Sequence, residues 1–188
     1  QAAWAVLKDK LLVNDDIFNW TTLPKSVAIF GLGVIGLEIG QALHRLGVKT
    51  LMFGKGTTIG PLSDPHVKQV AQRVFEEELH IYPDSDAIID IENYQPGSPV
   101  VVKYMHEDGT IHAHEVDYVI AATGRTPNVQ GLNFQALDLP LNRFGIPDYD
   151  AETLGVIGAP HIFMAGDVNN ERSLLHEASD EGALAGKN

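Results

Sequence analysis

The stretch Ser26 to Gly36, SVAIFGLGVIG, constrains the fold of this chain more than any other. Val27, Ala28, Ile29 and Phe30 form a short apolar run, the pattern of a parallel strand buried on both faces. Gly31, Gly33 and Gly36 follow in the spacing G-x-G-x-x-G, and a helical periodicity begins at once. A strand that enters a helix through so tight a turn leaves the first N–H groups of that helix unpaired and facing an anion. In this arrangement Gly31 permits the turn and Gly33 lets a pyrophosphate approach the backbone. Gly36 lets the helix lie close on the sheet. Val34 and Ile35, inside the same turn, join the three glycines as candidate contacts.

The flanks of the motif agree with it. Ile35, Ile39, Ala42, Leu43 and Leu46 recur at helical spacing as the expected buried face, with Gly40 as a second position of close approach. Gly47 stands where a helix C-cap belongs, and Val48 to Phe53 reads as the next strand. A βαβ unit results, and its expected ligand is a dinucleotide. The fold class that follows is α/β, a Rossmann-like parallel sheet.

Further along, Asp64-Pro65 marks a helix start, with Asp64 as N-cap and Pro65 at the first helical position. Val67, Val70, Ala71, Val74 and Phe75 are the expected buried face of that helix, and Glu76, Glu77 and Glu78 a solvated one. From Ile81 the period becomes strand-like. Three runs, Ala87 to Ile91, Pro99 to His106 and Thr110 to Val116, predict a three-stranded antiparallel meander inserted into the α/β pattern. Asp108-Gly109 is the expected hairpin turn. Tyr118 to Ala122 then returns as a buried strand, residues 131–158 are loop-rich, and His161 to Ala165 reads as another short strand. Ser173 to Lys187 is expected to close the chain as a helix, with Leu174, Leu175, Ala178 and Ala185 available for burial.

Composition excludes several function classes. A formal charge of −12 over 188 residues repels nucleic acid and anionic membrane surfaces, so neither is an expected partner. No cysteine is present, which rules out a disulfide framework, a thiol nucleophile and a cysteine zinc site within this chain. The start, QAAWAVLKDKLL, lacks the pattern of a secretory leader, and a cytoplasmic location is expected. His112 and His114 share one face of a strand without a third ligand at a matching spacing, so no metal site is expected. His176 and Glu177 are adjacent on a helix and point about 100° apart, which precludes a direct dyad. No catalytic residue is expected in this chain.

Three motifs in order resemble one family, the flavin-dependent pyridine nucleotide–disulfide oxidoreductases, and within it most of all the dihydrolipoamide dehydrogenase branch. GLGVIGLEIG at Gly31 to Gly40 resembles that family's NAD(P) fingerprint, ATGRTPN at Ala122 to Asn128 its crossover, and HIFMAGDV at His161 to Val168 its second flavin motif. LLHEASDEG, which follows, is similar to the helix start that abuts the flavin. The resemblance implies FAD beside NAD or NADP. It places Gly124, Gly166 and Asp167 among the cofactor-binding residues, with Asp167 on the flavin ribityl chain. It places Glu38 near the nicotinamide–flavin contact. It further implies a homodimeric parent in which residues 1–23 connect from the FAD domain. On the same reading, residues 24–123 are the NAD(P) domain and residues 124–188 the C-terminal portion of the FAD domain. The family's reactive cysteine pair, its flavin-phosphate glycine motif and its dimerisation domain have no counterpart in the sequence. A middle fragment of a larger enzyme, inactive by itself, is therefore expected, with its N-terminal leader and C-terminal third exposing apolar surface.

One position departs from the pattern. NAD enzymes carry an acid at the end of the second strand, roughly twenty residues after the motif begins, to bind both ribose hydroxyls. That place holds Gly54, followed by Lys55, and no Asp or Glu occurs between Glu38 and Asp64. A cation there suits a 2′-phosphate, whereas Gly36 at the third motif position is the NAD-like choice, so the sequence leaves NAD and NADP open. Two other classes were weighed. A stand-alone dinucleotide-sensing domain would not need ATGRTPN or HIFMAGDV. A dehydrogenase with its own substrate site would need an acid/base pair that the sequence does not offer.

Overall fold

The computed structural model describes residues 2–56, 59–106, 109–171 and 173–188. Asp108 of the expected hairpin turn and Thr57-Thr58 of the loop after the second motif strand lie outside these. Two compact units are present, residues 1–124 and 125–188.

In the first unit the strands are β1 (Leu11–Leu12), β2 (Ser26–Phe30), β3 (Lys49–Phe53), β4 (Ile81–Tyr82), β5 (Ile88–Ile89), β6 (Val100–Met105), β7 (Ile111–Val116) and β8 (Tyr118–Ala121). Its helices are α1 (Val34–Arg45) and α2 (Pro65–Glu78). Strands β1-β8-β2-β3-β4, in that order, form a five-stranded sheet whose pairings are all parallel. Strands β5-β6-β7 form the expected antiparallel meander. The alternation of strand side chains divides the core in two. Val27, Ile29, Met52 and Ile120 pack on the helical side with Ile39 and Leu43. Ala28, Phe30, Leu51, Phe53 and Val119 pack on the meander side against Ile89, Val100, Val102 and Tyr104. Both faces of the sheet are therefore covered, which is why its strands read as unbroken apolar runs.

Helix α1 ends as the sequence implies. Gly47 (φ 89°) donates its N–H to the His44 carbonyl and Val48 donates to that of Leu43, the pair of bonds of a Schellman motif. Its contact stripe differs from expectation. Gly36, Leu37, Ile39, Gly40 and Leu43 are buried and Ile35 is half-buried, while Ala42 and Leu46 are exposed. Ala42 follows Gly40 by two residues, about 200° around the helix, so a helix that turns Gly40 to the sheet must turn Ala42 to solvent.

Helix α2 is capped by Asp64, whose Oδ1 accepts the N–H groups of His66 and Val67 at 2.8 and 3.0 Å. Its buried face is a correction. Only Ala71 and Phe75 reach the core, and Val67, Val70 and Val74 are exposed. Glu78 is not simply solvated either. It accepts from Gln41 (2.8 Å) and Arg45 (2.6 Å), tying α2 to α1 and holding its carboxyl below the usual range.

The leader also departs from expectation. Leu7 is completely buried, Trp4 lies against Phe30 (centroids 4.8 Å apart), and Trp20 lies against Tyr118 (5.5 Å). These groups find their partners within the first unit, because β1 adds to the edge of β8 and draws the segment onto the sheet. Phe18, 82% exposed, keeps the expected exposure.

The second unit holds the antiparallel pair β9 (Gly155–Val156) and β10 (Ala159–Phe163), then α3 (Leu175–Ala185). Its core gathers Val129, Phe134, Ile146, Val156, Ala159 and Met164 out of the loop-rich stretch. Ala178 and Ala185 of α3 are half-buried, but Leu174 and Leu175 are exposed, the latter 89%.

Candidate functional site

The chain runs from β2 outward to β3 and β4, then returns to the other side of β2 as β8. Beside β2 the winding direction reverses, and in open α/β sheets the crevice at the carboxyl ends of such strands is where ligands bind. A cleft of about 580 Å³ opens there, lined by Phe30 and Gly31 at the end of β2, Phe53 and Gly54 at the end of β3, and Ala122 and Thr123 after β8.

The glycine turn forms its rim. Gly31 (φ 112°) donates its N–H to the Phe53 carbonyl at 2.8 Å, and a Cβ at this position would stand 2.2 Å from the Ala122 carbonyl oxygen. No side chain fits between the two flanking strands. Gly36 is equally confined, since a Cβ there would lie 1.9 Å from the Gly31 carbonyl oxygen. Its small size therefore closes the turn itself. Gly40 makes the close helix–sheet approach, facing Met52 and Ile29. Gly33 is the opposite case. It has φ −73° and ψ −178°, and among the described residues no atom lies within 4 Å of where its Cβ would be. Steric need for glycine at this position is absent from the protein itself, and the open space is what a bound group would fill.

Gly33 is also the N-cap of α1, and as a glycine it has no side chain with which to cap the helix. The first-turn N–H groups, those of Val34 and Ile35 among them, precede the first i→i−4 bond, from Leu37 to Gly33. The contrast with α2, whose Asp64 satisfies its own helix end, is informative: α1 presents an uncapped dipole end to the cleft. Val34 is 49% exposed, Ile35 packs against the core, and Glu38 is exposed one turn farther on.

Gly54 is buried. Its N–H donates to the Tyr82 carbonyl (2.9 Å), its carbonyl accepts from Ser85 (3.1 Å), and a Cβ would lie 2.7 Å from the Pro83 carbonyl oxygen. Lys55, exposed, lines the cleft beside it, and Gly124 (φ 119°) lines the far side. Sequence reasoning missed two contributors. Trp4 reaches the cleft from the leader and, with Phe30 and Phe53, lines it with aromatic rings. Ser85, in the loop after β4, is buried against the cleft, and its Oγ accepts the Ala87 N–H at 3.2 Å. Neither carries a local motif; the pairing of β1 with β8 brings in the one, and that of β4 with β3 the other.

Within the second unit, the crossover and Gly-Asp motifs meet although some forty residues separate them in sequence. Arg125, Thr126, Pro127 and Asn128 line a cleft of about 200 Å³ together with Asp167 and Ser173, and Arg125 Nη1 stands 3.9 Å from Asp167 Oδ2. Gly166 (φ 76°) shapes the turn after β10, where a Cβ would come 3.2 Å from that of Ala178 on α3. The turn is held by Glu181, which sequence reasoning did not single out. Its Oε2 accepts the Gly166 N–H at 2.6 Å and the Asn169 side-chain amide at 2.8 Å. Asp167 itself is half-exposed and faces the cleft.

His112 and His114 belong to a row of rings along β6 and β7. His106 stacks on His112 (4.9 Å), His112 on His114 (6.4 Å), and Tyr104 lies beside both (5.7 and 5.8 Å). Burial, then Lys49, His112 and His80, push the His114 imidazole below its usual value. Among the described residues no cluster suited to a metal ion is present, and no helix is long and apolar enough to cross a membrane.

Comparison with known proteins agrees with this geometry. The chain is 28% identical over 171 residues to dihydrolipoyl dehydrogenase of Cupriavidus necator, covering 90% of this chain and 35% of that protein. It is 28% identical over 184 residues to dihydrolipoyl dehydrogenase of Synechocystis sp., covering 95% and 38% respectively. The chain thus spans little more than a third of these relatives' lengths. The same fold occurs in LpdA of Mycobacterium tuberculosis, with a TM-score of 0.74 at 23% identity, covering 93% of this chain and 36% of that one. It also occurs in the HOCl-induced flavoprotein disulfide reductase RclA of Escherichia coli, with a TM-score of 0.71 at 21% identity, covering 92% and 38%. The pattern of the pyridine nucleotide-disulphide oxidoreductases matches residues 6–182, nearly the whole chain, and the chain belongs to that family.

Proposed function

We propose that this chain is the nicotinamide-binding portion of a flavin-dependent oxidoreductase resembling dihydrolipoamide dehydrogenase. The observation that carries the reading is the open, uncapped N-terminus of α1 above Gly33, at the carboxyl ends of β2, β3 and β8. On this reading the pyrophosphate lies over Gly33 and takes the N–H groups of the first turn, including those of Val34 and Ile35. Gly31 and Gly36 keep the turn tight enough for that approach. The aromatic lining from Trp4, Phe30 and Phe53 excludes water, and Glu38 lies toward the nicotinamide.

In the second unit Asp167 accepts hydrogen bonds from the ribityl hydroxyls of FAD, and Gly124 and Gly166 give the backbone room beside the cofactors. Arg125 and Glu181 hold the motif around Asp167 in place. Residues 24–123 then form the NAD(P) domain, residues 1–23 lead into it from the FAD domain, and residues 124–188 return to that domain. The cofactors, when bound, supply the hydride chemistry; the chain binds and orients them. The disulfide or dithiol centre that such an enzyme serves is not in this cysteine-free sequence, and the chain alone has no dithiol–disulfide activity. A homodimeric parent enzyme in the cytoplasm completes the reading.

Calorimetric titration with NADH and with NADPH tests the binding claim. Heat of association is expected from at least one of them, and no heat from either refutes the claim.

A further inference from the structure

The position that holds the ribose-binding acid in NAD-specific folds is Gly54, and the structure shows why no acid can stand there. A Cβ at residue 54 would meet the Pro83 carbonyl oxygen at 2.7 Å and Leu32 Cδ1 at 2.9 Å, both inside contact distance. The backbone on both sides is held, by Gly54 N–H to Tyr82 and by Ser85 N–H to Gly54. Neither flank can recede without breaking the link between β3 and the loop after β4. The acid is excluded sterically.

The side chains that line this end of the cleft are Lys55 and Ser85, and Lys55 is the sole charged residue lining it among those described. Asp84, on this loop, is exposed and accepts the Gly56 N–H at 2.9 Å, and it is not among the residues that line the cleft. Ser85 is buried with its Oγ accepting from Ala87, so its hydroxyl proton remains to be donated toward the cleft. A cation and a hydroxyl in the lining, with no carboxylate among the described lining residues, complement a phosphate ester better than a pair of ribose hydroxyls that need a carboxylate acceptor.

We propose that this cleft selects the 2′-phosphorylated dinucleotide, NADPH over NADH, with Lys55 as the specificity-determining residue and Ser85 as its second donor. The proposal rests on the dinucleotide-binding reading above and sharpens it. The charge of the whole chain makes the local cation decisive. At −12 the protein's field disfavours the additional charge that NADPH carries, so a preference for NADPH must come from a group in contact with the phosphate.

The test measures dissociation constants on the intact chain by calorimetry, and in parallel by quenching of Trp4 emission in a Trp20→Phe background. Wild type is expected to bind NADPH at least about tenfold more tightly than NADH, the lower end of what one charge-assisted hydrogen bond gives. Lys55→Ala should remove that preference, weakening NADPH binding by about tenfold more than NADH binding; Lys55→Arg should retain it. With 2′,5′-ADP as probe, the ³¹P resonance of the 2′-phosphate should shift in wild type and not in Lys55→Ala. Equal or tighter binding of NADH by wild type overturns the preference while leaving the dinucleotide site standing. An undiminished preference in Lys55→Ala overturns the assignment to Lys55. Failure to bind either nucleotide overturns both.

Discussion

Replacing Gly33 by alanine separates the glycine a ligand needs from the glycines the fold needs. At φ −73° the residue is in a region open to alanine, and the added methyl meets no described atom within 4 Å. Two small terms remain, of opposite sign. Alanine is a poorer N-cap than glycine, a loss of about 0.5–1 kcal/mol. It also restricts the unfolded chain, a gain of about 0.4–1 kcal/mol. The net change is within about 0.5 kcal/mol, and for a chain of this size the melting temperature moves by no more than about 2 °C. Dinucleotide affinity should behave differently. A methyl group between the pyrophosphate and the helix end lengthens at least one N–H···O bond to a charged group, at about 1.5–3 kcal/mol per bond, or roughly 10–150-fold in Kd. Gly36→Ala is the control. Its Cβ would overlap the Gly31 carbonyl, and overpacking against backbone costs about 1–3 kcal/mol or more. Thermal unfolding followed by circular dichroism, and calorimetry with NADH and NADPH, read both quantities on the same samples. Wild-type affinity in Gly33→Ala would refute the placement of the pyrophosphate. A melting temperature lowered as far as that of Gly36→Ala would refute the claim that the space above Gly33 is open.

Three further outcomes follow from individual contacts. Asp64→Ala removes the cap that serves His66 and Val67, and should lower stability by about 1 kcal/mol in urea titration, while Asp64→Asn should lose less. Glu181→Ala leaves the buried Gly166 N–H without its acceptor, at a cost of about 1–3 kcal/mol; amide exchange at Gly166 should quicken, and unchanged exchange would contradict the bond. His114 titrates below its unperturbed value of 6.5, so the unfolded chain binds the proton more readily than the folded one. Its contribution to stability is therefore complete above that value and is lost as pH falls from there through the lower value of the folded state. Melting temperatures of wild type and His114→Gln should diverge as pH falls below about 6.5, and parallel curves would remove His114 as the cause.

What the sequence revealed was whatever is settled within a few residues. The Asp64-Pro65 start, the Gly47 end and the strand–turn–helix around Gly31 depend on local backbone geometry, and each stands as read. Which stripe of a helix meets the core is settled by its partner. On α2, Val67, Val70 and Val74 satisfy the helical period as well as Ala71 and Phe75 do. In the fold Ala71 and Phe75 meet the core and Glu78 bonds Gln41 and Arg45, a rotation that leaves the valines exposed. The aromatic lining by Trp4 and the clamp by Glu181 were illegible for the same reason. One requires β1 to have docked on β8, and the other requires α3 to have folded back on the turn after β10.

Gly54 shows how far apart composition and cause can lie. In sequence the position is only an acid that is missing, and a missing acid is compatible with a site that binds NAD poorly, binds NADP, or binds nothing. The fold supplies the cause: the loop after β4 is bonded across Gly54 on both sides, and the Pro83 carbonyl occupies the direction in which a side chain would leave. Restoring an acid there by mutation would displace that loop, and Ser85 with it, before it could reach any ribose. On the proposed reading, discrimination between the two dinucleotides therefore falls to residues other than residue 54. Among the described residues that line the cleft, only Lys55 carries a charge.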